Sequence, residues 1–325
     1  MTATSLNAKI FVTGHTGLLG SAIVRELMEQ GYTNIFMTAH KRDNVDGFAN
    51  LELCDQAAVD NWFGTHVPEY VFHCAGKVGG IIECRDNQAD FLYENAMMSL
   101  NVIHSAKKHG VKGFLNMGSA CIYPRDAKQP INEDDLLTGA LEPTNEGYAL
   151  AKIAALKLCH YYYKNENLNF MTTMPCNLYG PNDHSTHVIP QLMKRFHDAK
   201  VNQTQVVPVY GSGTPFREFF HVDDCARACI AIMKKMPEIR SIDNYCGHIN
   251  IGSGQEITIK RLVEMIALIV GYEGKIIWDT SKPDGVPRRL LDSSRLWANI
   301  AWHPTISLMQ GLKEVYQEMR KHTGT

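Results

Sequence analysis

The run Gly14-His15-Thr16-Gly17-Leu18-Leu19-Gly20 limits what this chain can become more than any other stretch. Lys9 to Thr13, just before it, read as a short buried strand, and Ser21 to Gln30, just after it, have helical periodicity. A strand, a glycine turn and a helix in direct succession form the opening of a βαβ unit. Glycine permits a tight turn and lets the backbone approach a pyrophosphate at the helix N-terminus. The pattern predicts a dinucleotide site at the carboxyl end of a parallel sheet.

Further strand-like segments lie at Asn34–Ala39, Tyr70–Ala75, Phe114–Ser119 and Phe170–Pro175, with helical stretches near 18–30, 56–64, 88–109 and 147–166. This alternation predicts an α/β protein: a Rossmann-type, doubly wound parallel sheet covered on both faces. Beyond Pro175 the chain becomes irregular. Pro- and Gly-bearing segments such as Tyr210 to Pro215 and Ser281 to Pro287 read as a smaller C-terminal substrate lobe. The expected division is 1–175, with about 217–252 returning to it, for the dinucleotide-binding domain, and 176–216 plus 253–325 for the substrate lobe.

Composition excludes several classes. A net charge of −2 and the absence of any basic stretch argue against nucleic acid and membrane-surface partners. No run approaches the ~18 apolar residues of a spanning helix, and Met1 to Ala8 lack the features of a signal peptide. The nine cysteines are scattered without a C-x-x-C pair, which argues against both zinc and a disulfide framework. A reducing cytoplasm is the expected compartment.

Two further features bear on chemistry. Phe114 to Met117 deliver Gly118-Ser119 at the end of a strand, where a hydroxyl faces the crevice of a doubly wound sheet. Tyr148 and Lys152 are four apart on a helix and share a face. A phenol titrates near pH ~10, and a fixed ammonium close by is expected to pull that value down. Together, Ser119, Tyr148 and Lys152 resemble the short-chain dehydrogenase/reductase triad, and the glycine spacing resembles its extended branch. The cations His40-Lys41-Arg42 follow the second strand where an NAD-preferring protein usually has a carboxylate, so the reading leans to NADP(H). A basic loop facing solvent is the alternative. Asp55 stands where such sheets often contact adenine.

Cys121 lies two residues past Ser119, and His187 lies in the expected second lobe. On a strand end, period two would aim Ser119 and Cys121 to one side. If Ser119 held a substrate carbonyl, a thiolate or an imidazole could remove the acidified alpha protons, and a group on the other face could return one with inversion. A structural cysteine and a capping histidine are the plain alternatives.

Longer motifs carry a resemblance to a particular family. Ala75-Gly76-Lys77-Val78-Gly79-Gly80-Ile81, Ser119-Ala120-Cys121-Ile122-Tyr123-Pro124, Glu142 to Lys152, Asn177-Leu178-Tyr179-Gly180-Pro181, His187-Val188-Ile189-Pro190, Gly211 to Phe219 and Lys282-Pro283-Asp284-Gly285 resemble the GDP-L-fucose synthase family. That family comprises the GDP-4-keto-6-deoxy-D-mannose 3,5-epimerase-4-reductases. The resemblance implies that Tyr148 donates a proton to the C4 oxygen, that Lys152 binds the nicotinamide ribose and tunes Tyr148, and that Ser119 holds the keto oxygen. It implies Cys121 as epimerisation base and His187 as acid, with NADPH delivering hydride to C4. Gly14, His15, Thr16, Gly17, Leu18, Leu19, Gly20, Arg42, Asp55, Lys152, Pro175, Asn177, Leu178 and His187 are then expected at the cofactor. Lys77, Asn177, Arg195, Tyr210, Arg217 and Lys275 are expected at the GDP-sugar, the arginines on its diphosphate and Tyr210 against guanine. A homodimer is implied too. The segment Pro181 to Thr186 is shorter than the family's, and Ala120 and Gly147 replace residues often larger or prolyl. Reduction of another GDP-4-keto sugar, such as a heptose derivative, is the nearest alternative, and a non-catalytic NADP-binding sensor a remote one.

Overall fold

A computed structural model describes residues 5–39, 49–183, 187–242, 245–282 and 284–323. The first half of the chain alternates as expected: β1 (Ile10–Thr13), α1 (Leu18–Glu29), β2 (Ile35–Ala39), β3 (Ala49–Asn50), α2 (Gln56–His66), β4 (Tyr70–His73), α3 (Ile81–Asp86), α4 (Gln88–Lys108), β5 (Gly113–Met117), α5 (Glu146–Glu166) and β6 (Phe170–Pro175). The second half holds β7 (Asn177–Tyr179), α6 (Val188–Val201), β8 (Val206–Tyr210), β9 (Phe216–His221), α7 (Val222–Arg240), β10 (His248–Ile251), β11 (Glu256–Thr258), α8 (Ile259–Val270), β12 (Lys275–Asp279), β13 (Arg288–Arg289), α9 (Ser294–Asn299) and α10 (Leu308–Thr323).

The main sheet is parallel throughout, in the order β10-β6-β5-β4-β1-β2-β3. Its order reverses between β1 and β4, and a crevice opens at such a point above the carboxyl ends of the strands. Both faces are covered, so the strands read as continuous apolar runs. Alternate residues go to opposite cores: Ile10 and Val12 pack with α1 and α7, whereas Phe11 packs with α2 and α4 and stacks on Trp62 at 4.0 Å between centroids.

A four-stranded sheet of β7, β9, β11 and β13, and a parallel pair β8–β12, form the rest. The expectation placed 217–252 wholly with the first lobe. Only α7 and β10 lie there; β9 is the centre of the four-stranded sheet. Its alternating side chains explain the position, because Phe220 joins the first core and Phe219 the second, with α6 and α8. Asn177 to Tyr179, within the stretch expected to be irregular, pair with β9. Between these units sits Glu218, a fully buried carboxylate that accepts N–H bonds from Gly254 (2.7 Å) and Leu291 (3.0 Å) and a hydroxyl bond from Ser253 (3.3 Å).

Beneath the crevice His73 is fully buried between Thr13 Oγ1 (2.9 Å) and Ser99 Oγ (3.2 Å), and Thr13 Oγ1 also accepts the Ala75 N–H (3.1 Å). Burial pushes His73 down to about 3, and His248 likewise. A histidine whose folded value lies below its unfolded one is favoured neutral, so its contribution is complete above pH ~6.5 and lost as pH falls toward the folded value. Between pH 6 and 4 each such histidine should cost about 1.4 kcal/mol of unfolding free energy per pH unit. Urea unfolding of His73→Gln should show a slope shallower by that amount; an unchanged slope contradicts it.

Candidate active site

A cleft of about 720 Å³ lies over the carboxyl ends of β1, β4, β5 and β6 and is closed on its other side by β7, the start of α6 and Phe219. Its floor is the glycine turn. Gly14 has a φ of 66°, and a Cβ there would stand 2.8 Å from the Ala75 backbone. A Cβ on Gly20 would stand 2.1 Å from the Gly14 carbonyl oxygen. Gly17 caps α1 and has no side chain of its own to offer the free N–H groups of this helix N-terminus. Backbone this close and a helix end of this kind fit a dinucleotide pyrophosphate. Gly14, Thr16, Gly17, Leu18, Leu19, Gly20, Pro175, Asn177, Leu178 and His187 line the cleft. His15 is buried beside them and is not among the lining residues.

Ser119, Cys121, Tyr148 and Lys152 all line this same cleft. The strand that delivers Ser119 ends at Met117, two residues sooner than expected, and a 3-10 turn runs over Ala120–Ile122. The period-two argument for Ser119 and Cys121 therefore does not hold. Instead Ser119 caps the turn, its Oγ accepting the Cys121 N–H (3.3 Å), and this local bond brings both side chains to the cleft.

Lys152 is buried, at 4% exposure, and its Nζ donates to the Met117 carbonyl (2.9 Å) while standing 5.7 Å from the Tyr148 ring centroid. Burial lowers it to about 8. For Tyr148, burial outweighs everything else. It pushes the phenol up, the Cys121 sulfur adds to this, and the hydrogen bond with Ser119 only partly opposes it. The expected downward pull is thus overridden: the phenol is desolvated, and the ammonium is bound to a carbonyl. Two donors face the Cys121 sulfur, Asn145 Nδ2 at 3.2 Å and Arg289 Nη1 at 3.7 Å. His187 is the exposed N-cap of α6, across the cleft.

Other expectations fare differently. The Lys77 ammonium pairs with Glu94 (2.7 Å) on α4, and Lys77 does not line the cleft although Gly76, Val78 and Gly79 do. Asp55 caps α2 by accepting the Ala58 N–H (3.0 Å) and is also absent from the cleft wall. Arg42, with His40 and Lys41, lies outside the described residues. Arg195 lies over the exposed Tyr210 ring at 4.9 Å from its centroid. Lys275 pairs with Val206 at the far end of β8, four residues or about 13 Å from Tyr210. The second cation near that ring is Lys282, at 6.0 Å. Arg217 is lowered to about 10 by burial and by the like charge of Arg289, its register partner.

Sequence reasoning missed Asn145, Arg289, Lys282 and Glu83, whose carboxylate lines the cleft beside Gly79. Asn145 and Lys282 stood inside motifs already singled out. Nothing local marked Arg289 or Glu83. Among the described residues no group of three His, Cys, Asp or Glu could hold a metal ion, and no helix is long and apolar enough to cross a membrane.

The model of the NAD dependent epimerase/dehydratase family matches residues 10–252. Putative GDP-L-fucose synthase 2 of Arabidopsis thaliana is 50% identical over 317 residues, covering 96% of this chain and 91% of the relative. The chain belongs to the GDP-L-fucose synthase family. GDP-L-fucose synthase of Escherichia coli (strain K12) is 44% identical over 95% of each chain. Among solved structures, a GDP-mannoheptose C4 reductase from Campylobacter jejuni with NADP bound matches with a TM-score of 0.88 at 33% identity, over 98% of this chain and 100% of that one. These matches run over nearly the whole chain. The close contact at Gly20 gives a direct test. Gly20→Ala must displace the Gly14 carbonyl, and a strain of about 1.4 kcal/mol on the bound state weakens dinucleotide binding about tenfold. Fluorescence titration of NADPH should show it, with the circular dichroism spectrum preserved; unaltered affinity contradicts it.

Proposed function

We propose that this protein epimerises GDP-4-keto-6-deoxy-D-mannose at C3 and C5 and reduces it at C4 with NADPH, giving GDP-L-fucose. One observation carries the reading: Cys121 opens on the same cleft as Ser119, Tyr148 and Lys152, in a chain of this family. A reductase alone needs only the last three.

Each residue has a task that its surroundings suit. Ser119 and Tyr148 hold the C4 oxygen, and an enolate oxygen formed there keeps both donors. Cys121 takes the alpha proton, with Asn145 and Arg289 as partners for the anionic sulfur. His187, on the opposite wall, returns a proton from the other face. Tyr148, kept protonated by burial, then donates to the C4 oxygen, and the Lys152 ammonium stabilises the phenolate left behind. The glycine turn at Gly14, Gly17 and Gly20 would hold NADPH, which would supply the hydride for C4. Arg217 and Arg195 bind the diphosphate, and Tyr210, flanked by cations, receives guanine. The NADP-bound Campylobacter relative supports NADP(H) over NAD(H). Free cysteines throughout suit a reducing cytoplasm. Exposed Tyr93, Leu150 and Tyr161 on the paired helices α4 and α5 suit a homodimer.

The two activities should separate by mutation. Tyr148→Phe removes the proton donor, so NADPH oxidation should fall at least ~100-fold while alpha-proton exchange with heavy water continues. Cys121→Ser should abolish that exchange. Loss of exchange together with reduction in Tyr148→Phe, or retained exchange in Cys121→Ser, with NADPH still bound, would sink the assignment of separate roles.

A further inference from the structure

The side chain of Arg289 is not spent on a carboxylate. Its neighbour Arg288 points to the other side of β13 and makes two 2.7 Å bonds to Glu256. Arg289, by contrast, forms no ion pair with any described residue, and its Nη1 stands 3.7 Å from Cys121 Sγ. Its backbone is pinned just beyond: Leu290 N–H donates to Gln129 Oε1 (2.8 Å) and Leu291 N–H to the buried Glu218 (3.0 Å). Four neutral groups among the described residues also face Cys121, and the Glu83 carboxylate lines the same cleft beside Cys84. The neutral groups are the Asn145 amide, the Ser119 hydroxyl at the head of the turn, the Tyr148 phenol on α5 and the Cys84 thiol on α3, with burial keeping the last two protonated. Among the described residues Arg289 is the cation in contact with the sulfur.

We propose that Arg289 is a positioning residue for Cys121, directing its sulfur into the cleft with a guanidinium placed to stabilise negative charge on it. The proposal rests on the epimerase reading only for its consequence; the pairing itself concerns the sulfur and the guanidinium. A nearby guanidinium favours the thiolate, and the thiolate, not the thiol, takes a proton or attacks an electrophile. The pinned backbone keeps the guanidinium in place without substrate. Arg217, beside it in register, shares the same wall, so a bound diphosphate would lie close to the group that supports the base.

The test is the alkylation rate of Cys121 by iodoacetamide, followed on its peptide by mass spectrometry at pH 7 and pH 10. The wild type is compared with Arg289→Gln, Arg289→Met, which keeps the stem's packing, and Arg289→Lys. At pH 7 the neutral variants should react about tenfold more slowly, and at pH 10, where the thiolate forms without help, the gap should close. Arg289→Lys should recover part of the rate. Equal rates at pH 7, or the same deficit at both pH values, overturn the proposal, the second because it signals altered access. If the alkylation result holds but Cys121→Ser still exchanges substrate protons with heavy water, the base assignment fails while the pairing stands.

Discussion

The bond from the Lys152 ammonium to the Met117 carbonyl is the interaction on which the cleft depends. It ties α5 to the end of β5, and so ties Tyr148 to the turn that carries Ser119 and Cys121. Burying an ammonium is costly unless it is hydrogen-bonded, and the cost appears as the fall of Lys152 to about 8. The same desolvation raises Tyr148, so the pair is set with a protonated phenol beside an ammonium that releases its proton more easily than a solvated one. A surface Tyr-x-x-x-Lys would have neither property. Burial, more than spacing, makes this pair suited to proton transfer.

A second constraint shapes the other wall. Glu218 is buried with its carboxylate bonded to two segments, Ser253–Gly254 and Leu291. Through them it joins β9 to β13 and sets Arg217 beside Arg289, two guanidinium groups that repel one another. Such an arrangement persists because the backbone is fixed elsewhere, and it suits an anionic ligand. The site is therefore assembled from two anchored walls: the sheet ends, which carry the glycine turn, Ser119, Cys121, Tyr148 and Lys152, and the four-stranded sheet, which brings Arg217 and Arg289 toward them.

Much of the first wall was legible in the sequence. The strands β1, β2, β4, β5 and β6 and the helices α1, α2, α4 and α5 fall within a few residues of their expected bounds, because buried parallel strands and long amphipathic helices write themselves as apolar runs and periodicity. Local chemistry also showed, since a glycine turn and an i, i+4 pair are contained in one element. What did not show is what tertiary contact decides. Cys121 belongs to a 3-10 turn held by a single Ser119 hydrogen bond, not to a strand. Lys77 sits in a motif near the cleft, yet Glu94 captures its ammonium. Arg289 reaches Cys121 from 168 residues away, through strand pairing that no local pattern records.

The central claim is that one cleft performs both inversion and reduction. The wild-type protein, incubated in heavy water with GDP-4-keto-6-deoxy-D-mannose and NADPH, gives a product whose NMR spectrum decides it. GDP-L-fucose with deuterium at C3 and C5 is the predicted result. A GDP-6-deoxyhexose reduced at C4 but undeuterated and uninverted would contradict the claim, leaving a reductase in which Cys121 has no part in the chemistry.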